Sequence, residues 1–159
     1  MANSDSTPLG GDLPVATRFL FELDGVQLGV FKEVHGLNVS VAVEDFNEGG
    51  QNAYAHRMPG RMTWPNITFR RGLTNSNALF DWFSKSSGEG FAANQNKLTK
   101  STGAVTVLDP LGNRLRAWEF IDVFPVRWVG PDFSVARLDP LEEELEIAHH
   151  GFRAVTQAS

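Results

Sequence analysis

The feature that most constrains this chain is an alternation of apolar and polar residues with a period of two. Near the start, Phe19, Phe21 and Leu23 alternate in this way, and the dipeptide Asp24-Gly25 follows them. A period of two gives a β-strand one apolar face, and Asp-Gly accepts the positive φ angles of a two-residue hairpin turn. The same pattern predicts further strands at Val26–Val30, Val39–Val43, Trp64–Arg71, Val105–Val107, Leu115–Val123 and Leu141–His149.

One segment has helical spacing instead. Leu79, Trp82 and Phe83 stand at positions i, i+3 and i+4, which makes one apolar stripe on a helix. The segment begins after the potential N-cap residues 74–76 and ends before Ser86-Ser87-Gly88. A single helix among seven or eight strands predicts an α+β protein that is mostly β, a barrel or a sandwich.

Residues 44–63 interrupt the alternation. This polar stretch carries turn-forming residues at both ends, Glu48-Gly49-Gly50-Gln51-Asn52 and Met58-Pro59-Gly60. Long connections without structure of their own are uncommon in compact domains and are often functional. The stretch is therefore a candidate functional loop or extended hairpin.

The length of 159 residues fits one domain. We expect a flexible N-terminal arm at residues 1–16, a folded domain at 17–152 and a C-terminal tail at 153–159. The start of the chain is polar and acidic, unlike a signal peptide, and no apolar run approaches the ~20 residues of a membrane helix. The expected location is a cytoplasm, without membrane insertion of the subunit.

The composition and the motifs argue against most kinds of chemistry. A net charge of −5 disfavours general binding to nucleic-acid phosphates, and the absence of cysteine excludes disulfides and thiol nucleophiles. The chain has no Gly-x-Ser-x-Gly elbow and no Walker loop, and its four histidines lack a metal-ligand spacing. We expect no catalytic residue, no metal and no cofactor.

Glutamates cluster near the C-terminus. On a strand, Glu142, Glu144 and Glu146 share one face, whereas Glu143 points to the other face with Leu145 and Ile147. A solvated strand face explains the three alternate glutamates better than paired catalytic carboxylates.

A series of segments, taken in order, resembles the tail tube proteins of contractile phages and, more closely, the inner tube proteins of contractile injection systems. The resemblance covers residues 17–152, and one departure is Phe69, where the family more often has Leu; Arg70 then takes the place of a lysine, so the charge is kept. The segments that carry it are Phe21–Gly25, Gly29–Leu37, Glu48–Asn52, Pro65–Gly72, Trp118–Pro131 and Leu145–Gly151.

The resemblance implies a fold like that of the hemolysin-coregulated tube proteins: a small β-barrel of two packed antiparallel sheets, one flanking α-helix and an extended loop or hairpin. It implies six copies per ring and rings stacked into a tube. The implied partners are other copies of the chain, a contractile sheath, a baseplate hub or spike, a tube terminator, and a protein payload or DNA in the lumen. The tube would belong to a phage tail or an injection particle and would carry no catalytic residues.

Two hypotheses about surfaces follow from this reading. The first assigns an inter-ring contact to Glu48, Gly49, Gly50, Gln51, Asn52, Pro59, Gly60 and Arg61. The second places the acidic face of Glu142, Glu144 and Glu146 either in the lumen, where it would let an acidic payload slide, or outward against the sheath.

Three alternative functions stay open. A specialised paralogue could initiate the tube at the baseplate. A soluble β-barrel could bind a small ligand near Trp64, Trp82, Trp118 and Trp128. An enzyme is the weakest reading, because no active site assembles from the motifs.

Overall fold

The computed structural model describes residues 18–47, 49–50, 55–87, 92, 95, 100–136 and 138–155. It confirms a mostly β architecture with one helix among its elements. In chain order these are β1 (Arg18–Leu23), β2 (Val26–Phe31), β3 (Glu33–His35), β4 (Ser40–Phe46), β5 (His56–Thr63), β6 (Ile67–Gly72), α1 (Ala78–Ser86), β7 (Ser101–Leu108), β8 (Arg114–Val129), β9 (Glu142–Ala148) and β10 (Phe152–Val155).

Eight strands form one antiparallel sheet with the order β2-β1-β7-β8-β9-β6-β3, and β10 pairs with β8. The 16-residue strand β8 serves two halves of this sheet, because residues 114–123 pair with β7 and residues 124–129 pair with β9. Asp122, two residues before the second half begins, has a φ of 53°. Pro125 lies inside β8 opposite Ile147.

The two end strands of the sheet, β2 and β3, are consecutive in the chain and separated only by Lys32. The Lys32 N–H donates to the carbonyl of Arg70 on β6 at 2.9 Å. The sheet therefore curls until its ends meet at one residue, but within the described residues no ladder between β2 and β3 closes the barrel.

Large apolar side chains fill the interior of the curled sheet. Phe21, Phe31, Phe69 and Phe120 are almost wholly buried, and the rings of Phe21 and Phe69 lie 4.6 Å apart between centroids. Helix α1 places its buried Leu79 against this cluster. Burying each such side chain stabilises the fold by about 1.5–3 kcal/mol, so the aromatic cluster is a main source of stability.

A β-bulge changes the alternation expected on β2. Phe21 pairs with Gly29 and Glu22 pairs with Gln27, which leaves Leu28 as an extra residue. Beyond the bulge the faces are exchanged, so that Val30 is exposed and Phe31 is buried. The prediction that Val26, Leu28 and Val30 share one apolar face is wrong for this reason.

Strands β4 and β5 form a separate two-stranded sheet. The described parts of the stretch 44–63 thus lie in these two strands or between them, and the extended-hairpin form of the prediction is confirmed. The turn expected at Met58-Pro59-Gly60 is wrong, because these residues lie inside β5 with Pro59 opposite Val43. Proline is tolerated there since a two-stranded sheet consists of edge strands.

At the C-terminal end, β10 pairs with residues 117–120 of β8. Arg153, Ala154 and Val155 belong to this strand, so the expected boundary at residue 152 falls within it.

Candidate assembly surfaces

The β4–β5 hairpin is the most exposed element of the described chain. Every residue of the two strands is exposed except Gly60, which is half-buried. The register places Val41 opposite Met62 and Val43 opposite Pro59 on one face. A two-stranded hairpin on its own is marginally stable in water, so an apolar face of this kind indicates a contact with another molecule.

Of the residues expected at an inter-ring contact, the structure places five on or beside this hairpin. Gly49 and Gly50 lie in the turn region after β4, where Gly50 has a φ of 108° that favours glycine, and Pro59, Gly60 and Arg61 lie within β5. Glu48, Gln51 and Asn52 lie outside the described residues. Sequence reasoning did not name Val41, Val43 and Met62 as candidate contact residues. The Val-x-Val alternation of β4 could have indicated them, because it predicts an apolar strand face.

The three alternate glutamates of β9 share one face, as their spacing predicts, and all of them are held by cations or amides. Glu142 pairs with Lys32. Glu144 accepts from Arg70 Nε at 2.9 Å and from Arg127 Nη2 at 2.7 Å. Glu146 accepts from Asn66 Nδ2 at 2.8 Å and from Arg127 Nε at 3.0 Å.

These pairs largely neutralise the acidic face. Glu33 lies 3.7 Å from Arg70 on the same surface, so four carboxylates stand against three cations. The hydrogen bond and charge of Glu144 raise the pKa of Arg70 above its usual value. The hydrogen bonds from Asn66 and then Arg127 lower the pKa of Glu146. The surface is a network of ion pairs and not an open field of negative charge.

On the opposite face of the same strands, Glu143 and Arg71 form a buried ion pair. Trp128 Nε1 donates to Glu143 Oε2 at 3.3 Å, and the Arg71 guanidinium lies 5.2 Å from the centroid of the Phe31 ring. Gly29 makes room for Arg71, because a Cβ at that position would lie 2.2 Å from Arg71 Nη1. The sequence spacing predicts that Glu143 lies on the other strand face from Glu142 and Glu144. It does not predict that Glu143 forms an ion pair there.

Two adjoining clefts open at the end of the sheet where β8 stops and β9 starts. They share Gly130, Pro131, Phe133 and Glu143, and the larger has a volume of about 750 Å³. Asp132 and Asp139 line the larger cleft. Phe80 and Trp128, whose ring centroids are 5.5 Å apart, line the smaller one. Sequence reasoning named Trp128 as one of four tryptophans near a possible ligand site, but it did not identify the clefts.

The histidines are occupied by structural contacts. His149 is buried, its Nε2 lies 3.0 Å from the carbonyl of Pro65, and its Nδ1 accepts from the Gly151 N–H at 3.0 Å. This pattern corresponds to the neutral ring with the proton on Nε2. His150 lies 3.1 Å from Asp122. Within the described ranges, no group of three His, Asp or Glu side chains has a metal-binding arrangement.

The four tryptophans do not form a common ligand site. Trp64 packs on Phe152, Trp82 lies near Phe21, Arg116 lies over Trp118, and Trp128 packs on Phe80. Among the described helices, none has the length and apolar character needed to cross a membrane.

Comparison with known families gives one match, to the T4-like virus tail tube protein gp19 family, over residues 15–153. No curated protein sequence matches the chain.

Several solved structures have a similar fold. A chain from the sheath-tube complex of PVC, an extracellular contractile injection system in its extended state, is 22% identical with a TM-score of 0.76, over 98% of this chain and 100% of that one. A chain from the tube-terminating cap of the anti-feeding prophage is 20% identical with a TM-score of 0.76, over 99% and 100%. A type six secretion system protein is 9% identical with a TM-score of 0.52, over 87% and 83%.

Proposed function

Because the chain belongs to the T4-like virus tail tube protein gp19 family, we propose that it is the repeating structural subunit of the inner tube of a contractile injection particle or phage tail. Copies form hexameric rings, the rings stack, and the lumen carries a payload. The role is mechanical, and no residue acts as a catalyst.

The observation that carries this proposal is the β4–β5 hairpin, with apolar side chains that contact no core. Val41, Val43, Phe46, Met58 and Met62 are each about half exposed. By the register, Val41, Val43 and Met62 lie on one face of the hairpin, and Phe46 and Met58 lie on the other. A monomer would leave these side chains in water, whereas contact with another copy buries them. The open edges of the hairpin favour the same outcome, because an unpaired strand edge is a template for pairing with another chain.

The proposed partners follow from family membership and from the particles that contain similar folds. One similar chain lies in a sheath-tube complex, one in a baseplate and one in a sheath/tube terminator structure. We therefore assign a contractile sheath, a baseplate and a terminator as partners of the assembled tube. The subunit would be assembled in the cytoplasm and would then become part of the particle.

The decisive experiment removes the apolar character of the hairpin without changing its shape. The triple variant Val41→Thr, Val43→Thr and Met62→Gln replaces three exposed apolar side chains, and threonine keeps a high strand propensity at the two β4 positions. Size-exclusion chromatography and negative-stain electron microscopy should show rings or tubes for the wild type and only small species for the variant.

The matched control is Val41→Ile with Val43→Ile, which keeps the apolar surface and should assemble. Circular dichroism should give the same spectrum for all three proteins. A triple variant that forms tubes as readily as the wild type would contradict the role of the hairpin, and a wild type that stays monomeric at high concentration would contradict the tube itself.

A further inference from the structure

The buried ion pair of Arg71 and Glu143 lies in the ladder between β6 and β9. The two residues are directly opposite each other in this ladder, and they are only 4% and 6% exposed. Arg71 Nη2 has no hydrogen-bond partner among the described residues. Replacing a buried ion pair by apolar residues of similar volume is often neutral or stabilising. The presence of this pair in the core therefore needs a reason other than stability.

The apolar pairs of β6 and β9 do not select one register. In the observed register, Ile67 lies opposite Ile147 and Phe69 lies opposite Leu145. A slip of two residues keeps every side chain on its own face and keeps the alternation of the antiparallel ladder. In one such slip Ile67 lies opposite Leu145, so an apolar side chain still occupies the place of Phe69.

The exposed face of the two strands does not select the register either. Arg70 lies opposite Glu144 and pairs with it. Glutamate also occupies the alternate positions Glu142 and Glu146, so Arg70 meets a carboxylate after a two-residue slip in either direction. The repeated glutamates thus leave the register of this face undetermined.

The buried charges oppose both slips. One slip places Phe69 opposite Glu143, and the carboxylate then lies beside an aromatic ring without its cation. The other slip places Arg71 opposite Leu145, in the place of Phe69, and again separates it from Glu143. A buried charge that loses its partner destabilises a fold far more than an exposed ion pair stabilises it.

Contacts from other strands hold the pair in one place. Trp128 Nε1, on β8, donates to Glu143 Oε2 at 3.3 Å. The Arg71 guanidinium lies 5.2 Å from the centroid of the Phe31 ring and fills the space that Gly29 leaves on β2. Within the described residues, β6 is followed in the sheet only by the three-residue strand β3, so no long ladder on that side opposes a slip.

We propose that the buried Arg71–Glu143 pair is a register lock, a conformational device that prevents two-residue slips of β6 on β9. A two-residue slip moves β6 by about 7 Å along β9. The β4–β5 hairpin is joined to the start of β6 through residues 64–66, so it moves with β6. Chains in different registers therefore present different surfaces to a neighbour. The lock acts within a single chain and goes beyond the proposed tube function.

Disulfide trapping measures the register directly, because the chain has no cysteine of its own. Thr68 lies opposite Glu146, and a two-residue slip places it opposite Glu144 or Ala148. Thr68→Cys with Glu146→Cys therefore reports the observed register, and Thr68→Cys with Glu144→Cys reports a slipped one. In the observed register residues 68 and 144 are diagonal neighbours about 7–8 Å apart, beyond the usual disulfide limit of about 6.8 Å between Cα atoms.

The two cysteine pairs are compared with and without the register lock. With Arg71 and Glu143 in place, mild oxidation should close the 68–146 pair and leave the 68–144 pair open. In the background of Arg71→Leu with Glu143→Leu, the 68–144 pair should close at least about tenfold faster, because its rate follows the population of the slipped register. The matched control is Arg70→Gln with Glu33→Gln, which removes an exposed ion pair of 3.7 Å and should leave the 68–144 pair open.

Circular dichroism identifies the variants that are folded. Arg71→Met with Glu143→Gln, which keeps an acceptor for Trp128, is a second variant without the ion pair and should give the same result as the leucine pair. A 68–144 pair that stays open in either folded variant overturns the proposal, because other contacts then set the register. Non-reducing gels and peptide mapping detect the intrachain disulfide in single chains, so a failure of tube formation would count against the proposed function alone.

Discussion

The buried position of Arg71 depends on Gly29, a neighbour that has no side chain. Its guanidinium fits inside the sheet because Gly29 leaves the space, and Glu143 neutralises it. Arg71 Nη2 has no hydrogen-bond partner among the described residues. An unsatisfied buried donor costs about 1–3 kcal/mol, so the pair is not the most stable filling of this site.

Removing one partner of the Arg71–Glu143 pair should lower the free energy of unfolding more than removing both partners. Arg71→Leu leaves Glu143 buried and unpaired, which should lower the free energy of unfolding by about 3–5 kcal/mol. Arg71→Leu combined with Glu143→Leu should recover most of that loss. Urea unfolding, measured in the background of the hairpin triple variant so that assembly does not contribute, checks this expectation.

If the double variant is as unstable as Arg71→Leu alone, the loss of stability does not come from a buried, unpaired Glu143 carboxylate. Gly29→Ala serves as the geometric control. It leaves both charges in place and should destabilise through the close approach of its Cβ to the Arg71 side chain.

Glu146 should make the stability of the folded chain depend on pH. Its pKa in the folded chain lies below the usual value of 4.5, because Asn66 and Arg127 hydrogen-bond its charged form. A lowered pKa means that the stabilisation is fully present above the unfolded pKa and is lost as the pH falls through the folded one. Glu146→Gln should therefore be less stable than the wild type at pH 7, by up to about 1 kcal/mol, and the difference should disappear as the pH falls through the lowered pKa of Glu146.

Thermal unfolding between pH 3 and pH 7 measures this difference. The control is Glu33→Gln, which alters an exposed carboxylate at 3.7 Å from Arg70 on the same face. A Glu146→Gln penalty that stays constant across this pH range would show that the carboxylate contributes through packing and not through its charge.

At the scale of elements, the hairpin and the curled sheet differ in how they are stabilised. The curled sheet has the aromatic cluster, whereas β4 and β5 rely on their own ladder and on cross-strand pairs such as Val41 with Met62. Elements with few buried contacts open locally at low free-energy cost. The hairpin should thus be the first described element to open in the isolated chain.

Limited proteolysis with trypsin tests this expectation. In the unassembled chain, cleavage should occur first after Arg57 and Arg61, which are exposed on β5, and the paired Arg70 and Arg71 of β6 should resist. In assembled wild-type protein the β5 sites should be protected at least about tenfold, because the hairpin is then held in a contact. Equal cleavage rates in the two states would argue that the hairpin stays free in the assembly.

At the scale of the whole molecule, the main property is polarity from end to end. The hairpin projects from one end of the β6–β9 pair, and the cleft opens at the other end. Within the described residues no ladder between β2 and β3 closes the curled sheet, so strand edges remain available for pairing with neighbouring copies.

The sequence by itself determined the features that depend on near neighbours. Period-two alternation identified most strands, Asp24-Gly25 identified the first turn, and the i, i+3, i+4 stripe identified α1. The same rule separated Glu143 from Glu142, Glu144 and Glu146. These features could be read from the chain because a strand or a helix repeats over a few residues.

Only the tertiary structure decided the features that depend on distant partners. The bulge at Leu28 arises from pairing with β1. Arg71 and Arg70, which hold Glu143 and Glu144, come from positions more than seventy residues earlier in the chain. Pro59 became a strand residue because β4 pairs with it, and the smaller cleft formed because the chain after β8 brings Gly130, Pro131 and Phe133 beside Phe80 of α1. The local sequence pattern specifies on which face of a strand or helix a side chain lies. The fold of the whole chain specifies which distant residues that side chain contacts.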